Sequence, residues 1–63
     1  MKFIEVITLG RRAFVNIEYI ESVISVGDKT HIHPVGTEEY YVVNDSLDEV
    51  MKKIFLADKE SGE

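Results

Sequence analysis

Sixty-three residues allow one domain, which buries only about 60% of the surface its unfolded chain exposes and so has a marginal core of its own. With no cysteine there are neither disulfides nor thiolate zinc sites to staple it, which leaves oligomerisation as the readiest support, and the apolar runs are far short of the ~20 residues a membrane span needs. Charge is uneven: Met1 to His33 sets four bases (Lys2, Arg11, Arg12, Lys29) against four acids (Glu5, Glu18, Glu21, Asp28), whereas Pro34 to Glu63 sets three bases against eight acids, so the net −5 lies wholly in the second half. An acidic chain with no basic cluster larger than Arg11-Arg12 lacks the face that phosphate binding requires, and nucleic acid is not the expected partner.

Residues 2–9 (KFIEVITL) are rich in β-formers and carry apolar groups on both parities, as a strand covered on both faces does. Gly10-Arg11-Arg12 reads as a short turn with Gly10 at positive φ, after which Ala13-Phe14-Val15 returns as the second strand of a hairpin. Asn16 to Tyr19 reads as a turn in which Asn16 bonds back to its own backbone. A third strand follows over Ile20–Val26, with Ile20, Ser22, Ile24 and Val26 on one side and Glu21, Val23 and Ser25 on the other. Gly27-Asp28-Lys29 turns the chain into the short strand Thr30–His33, ended by Pro34, and Glu39–Val43 has the strongest strand propensity of the chain.

Ser46-Leu47-Asp48-Glu49 matches a capping box, in which a serine hydroxyl accepts from the amide three residues on and the glutamate reaches back to the serine amide. Leu47, Val50, Met51, Ile54 and Phe55 then fall on one helical stripe, which must pack on the sheet because a helix of about twelve residues is marginal in water alone. The expected architecture is therefore α+β: a small antiparallel β-meander of three to five short strands with one C-terminal amphipathic helix on one face. Residues 1–58 make the single domain and 59–63 a flexible acidic tail. No basic segment leads into a long apolar run near Met1, so no signal peptide is visible and a cytoplasmic location is expected.

One helix covers one face of a sheet. The other face keeps Val23 and some of Ile4, Val6, Tyr41 and Val43, an apolar set that points to a homodimer or larger assembly. Tyr40 and Tyr41, adjacent on a strand, face opposite ways, so one belongs to the core and its neighbour is exposed or lies in an interface, where tyrosine suits recognition. Arg11 and Arg12 offer a contact to an acidic partner. His31 and His33, two apart on a strand, point to one face and are the candidate metal pair, although a zinc site needs at least a third ligand. The serines lie in no nucleophile-elbow pattern, the glycines form no phosphate cradle and the paired carboxylates have no apolar surroundings, so neither an enzyme nor a cofactor is expected. The leading expectation is a non-enzymatic interaction module whose partners are another protein and a second copy of itself. The alternatives are a small nucleic-acid-binding transcription regulator and a metal binder.

The stretches Ile7-Thr8-Leu9-Gly10, Phe14-Val15-Asn16, Tyr19-Ile20-Glu21-Ser22-Val23 and Tyr40 to Ile54, with its Glu49-Val50 and Lys53-Ile54, resemble the small flagellar-operon proteins called FlbD or SwrD over most of the chain. Gly10-Arg11-Arg12 stands where that family has an Asn-Gly turn. The resemblance implies a role in motility. Ile17-Glu18-Tyr19-Ile20-Glu21-Ser22 and the Ser46-Leu47-x-Glu49 helix start are also similar to the C-terminal half of LytTR-type DNA-binding domains, and that likeness implies architecture alone.

Overall fold

A computed structural model describes residues 2–61. Its elements are β1 (Phe3–Thr8), β2 (Arg11–Asn16), a 3-10 turn (Ile17–Tyr19), β3 (Ile20–Val26), β4 (Lys29–Pro34), β5 (Tyr41–Val43) and α1 (Leu47–Ser61). All strand pairs are antiparallel, and the order across the sheet is β2-β1-β5-β4-β3. The fold class agrees with the sequence reading, but the order is not that of a simple meander, because β5 joins the two hairpins and β2 and β3 become opposite edges.

Those edges are nevertheless linked by only the three residues of the 3-10 turn. In a flat sheet of five strands, four spacings of about 4.8 Å would hold them ~19 Å apart. Three residues of 3-10 helix advance only about 6 Å, so the sheet must curl. The turn is fixed where this happens: Asn16 Oδ1 accepts from the Glu18 amide at 2.9 Å, the Ile17 amide donates to Lys2 O at 2.8 Å and the Val35 amide donates to Tyr19 O at 2.7 Å, tying the start of β1 to the end of β4.

Inside the curl lie Ile4, Val6, Val15, Ile32 and Val43, closed by Val50 of α1. Register explains the set. Ile4 faces Val15 and Val6 faces Ala13 across β1 and β2, while Val23 faces Ile32, and Thr30 and Ile32 face Val43 and Tyr41 across β3, β4 and β5. Thr30, fully buried, satisfies its hydroxyl by donating to Asp45 O at 2.7 Å, which also pins the loop that enters the helix.

β5 is short and meets β1 only at Thr8↔Val43, so the rest of β1 turns an unpaired edge away from β2. The helix occupies this gap, packing on β1, β3 and β4. Lys53 Nζ donates to Glu5 O at 2.8 Å and to Asp45 Oδ2 at 2.6 Å, supplying a donor where a longer strand would have. Lys2 meets Asp58 at 3.0 Å near the helix end. At the helix start the Ser46 hydroxyl accepts from the Glu49 amide at 3.2 Å and Ser46 O from the Val50 amide at 2.9 Å.

Several local expectations shift. The first turn is Leu9-Gly10, both at positive φ (53° and 75°), as a two-residue hairpin loop requires, so Arg11 and Arg12 belong to β2 rather than to the turn. A bulge between Ile20 and Ser22 reverses the parity of Ile20, which packs on the core together with Val23. Helix α1 continues to Ser61, past the boundary expected at residue 58, because no residue from Leu47 to Ser61 is a glycine or proline. Of the expected tail, residues 62 and 63 lie outside the described residues.

Candidate functional site

The alternation that buries Ile4 and Val6 turns Phe3 and Ile7 outward, and the same pairing turns Phe14 out opposite Glu5. On the other half of the sheet, Ile24 on β3, His31 on β4 and Val42 on β5 form one cross-strand row on the outer face. Among the described residues, twelve large hydrophobic side chains are exposed, including Phe14 at 61%, Leu9 at 87% and Ile24 at 45%. On the outer face Phe3, Ile7, Phe14, Ile24 and Tyr40 are exposed, interspersed with Glu5, Arg12, His31 and His33.

Tyr40 is the centre of one cluster. Its ring stacks on His31 with centroids 4.6 Å apart and planes 18° from parallel, and lies 5.0 Å from His33. The expectation that the two histidines share a face holds, since their rings are 6.3 Å apart, but both rest on a tyrosine ring. Among the described residues no group of three or more histidine, cysteine, aspartate or glutamate side chains is placed to hold a metal ion. Tyr41 faces the other way and packs on the core, so the two tyrosines divide as expected.

A second cluster lies on the first hairpin. Arg12 pairs with Glu5 and its guanidinium sits 5.9 Å from the Phe14 ring centroid, a cation over an aromatic face. Arg11 flanks the turn opposite Thr8. Lys2, Arg12 and Lys53 each meet a carboxylate, so these three bases are neutralised locally rather than gathered into a phosphate-binding face.

Val23, expected on the uncovered face, is on the covered one: it pairs with Ile32, and the parity that turns it inward turns Ile24 outward. Ile4, Val6 and Val43 are core residues for the same reason. The residues that take their place outside are Phe3, Ile7, Phe14 and Ile24. The signal that could have found Phe3, Ile7 and Phe14 is the position of the first turn, since a loop at Leu9-Gly10 fixes every pairing of β1 with β2. The helical stripe also divides: Val50 is buried and Ile54 half-buried, but Phe55 is 66% exposed and Met51 45%. With Ile17 and Ile54 they line a shallow apolar groove beside the helix.

No curated protein and no solved structure matches this chain. A family model, FlbD, described as flagellar and swarming motility proteins, matches residues 3–61, nearly the whole chain and the first of the two families that the sequence resembles. The chain belongs to the FlbD family of flagellar and swarming motility proteins.

Proposed function

We propose that this FlbD-family chain is a non-enzymatic interaction module of the motility apparatus, acting in the cytoplasm by self-association and by contact with another protein. The carrying observation is the outer face of the sheet: Phe14, Ile24 and Tyr40 are about half exposed or more on a domain too small to stabilise itself well. A lone monomer rarely leaves so much apolar surface open, whereas an assembly buries it. The local neutralisation of Lys2, Arg12 and Lys53 favours a protein partner over nucleic acid. No helix among the described residues is long and apolar enough to cross a membrane.

Light scattering over a concentration series tests the reading. A mass that rises above the 7.2 kDa of one chain is the expected result, and a strict monomer at every concentration overturns it.

A further inference from the structure

The sheet has two edge strands, and they are finished differently. β3 carries the bulge between Ile20 and Ser22, the acidic Glu21 at that bulge, and the helix packed against it; such features keep an edge from pairing with another chain. β2 has no bulge, and its charges are the bases Arg11 and Arg12 at its turn end. Its six residues, RRAFVN, include no proline or acid, and among the described residues it pairs with β1 alone.

Hairpin geometry identifies which β2 backbone groups are open. Thr8 and Arg11 flank a two-residue loop and so form a hydrogen-bonded pair. Alternation makes Val6↔Ala13 and Ile4↔Val15 hydrogen-bonded too, and leaves Ile7↔Arg12 and Glu5↔Phe14 as the non-hydrogen-bonded pairs. The far side of β1 obeys this pattern, for the Glu5 carbonyl points away from β2 and accepts from Lys53. By the same rule the amide and carbonyl of Arg12 and of Phe14 point outward from the free edge of β2.

Resting on the self-association reading above, we propose that a second copy of the chain pairs with this edge, β2 antiparallel to β2 about a two-fold axis through Phe14. In that register Phe14 exchanges both backbone bonds with Phe14 of the second copy, and the Arg12 carbonyl meets the amide of its Asn16. Open groups meet open groups, and the two outer faces lie on the same side with the two Phe14 rings adjacent. Charge favours this edge as well. Arg12 lies opposite an asparagine, not another arginine, and keeps its own Glu5, and β2 itself contains no acid for the second copy to repel. Such an isologous contact closes on itself at the dimer and leaves Ile24 and Tyr40, on the β3–β4 half of the sheet, outside the join for the other protein.

The test compares solution masses of the wild type, Phe14→Lys, which sets two like charges face to face on the axis, and Ser25→Lys on the β3 edge. The expected result is a wild type that approaches twice the mass of one chain, a Ser25→Lys variant that does the same, and a Phe14→Lys variant that stays at the mass of one chain with an unchanged circular dichroism spectrum. Phe14→Lys at the wild-type mass overturns the edge assignment while self-association stands; a monomeric wild type overturns both. Should Phe14→Lys not fold, amide exchange in the wild type decides: Phe14 amide protection that grows with concentration supports the pairing, and fast exchange at every concentration overturns it.

Discussion

Val6 and Ile7 are neighbours in one strand and similar in chemistry, yet Val6 is 1% exposed and Ile7 39%; Ile32 and Ile24 divide in the same way, as do Tyr41 and Tyr40. Both faces of the sheet carry aliphatic and aromatic side chains, the outer one interspersed with Glu5, Arg12, His31 and His33. Register decides which side holds the fold, and here it is set by a two-residue turn at Leu9-Gly10 and a bulge at Ile20/Ser22. The consequence is that apolar residues divide between cohesion inside the curl and the outer face, which is the surface proposed for contact.

Substitutions that separate the faces should show this most strongly inside. Ile32→Ala empties the fully buried centre and is expected to cost about 2–5 kcal/mol, against a total stability of roughly 3–9 kcal/mol for a chain of this length; a thermal melt should show most of the cooperative transition lost. Thr30→Val keeps the shape but strips the Asp45 carbonyl of its donor, at a cost of about 1–3 kcal/mol by denaturant titration. Lys53→Met leaves Glu5 O without its partner and is expected to cost about 1 kcal/mol, chiefly through that carbonyl, because the exposed part of the Asp45 pair is screened. Leu9→Asn replaces a leucine held at positive φ by a residue that tolerates it, and is expected to raise stability by about 0.5–1 kcal/mol. Ile24→Thr on the outer face should change the melt of a dilute sample by less than about 0.5 kcal/mol.

The sequence carried local information well and long-range information poorly. Ser46 announced the helix start, Asn16 the turn, and Gly27-Asp28 the second hairpin, since each depends on neighbours a few residues away. The insertion of β5 between β1 and β4 was not legible, because a three-residue strand acquires its place from the Thr8, Thr30 and Ile32 it meets. Val23 went to the wrong face because nothing in Ile20–Val26 marks the bulge. Phe55 joined the buried stripe by spacing alone, although the curled sheet offers the helix only a narrow seat around Val50. For the candidate site, the pairing of His31 with His33 and the division of Tyr40 from Tyr41 followed from strand alternation, whereas Phe14 emerged only once the first turn was placed.

The most direct test of this separation of faces is the thermal midpoint of the wild type and of a combined Ile7→Thr, Phe14→Thr, Ile24→Thr variant, each measured in dilute and in concentrated solution. The wild-type midpoint should rise with concentration, as it does when the native state associates, and the variant should melt near the dilute wild-type midpoint at both concentrations. A variant unfolded in dilute solution, or a wild-type midpoint indifferent to concentration, would contradict the account.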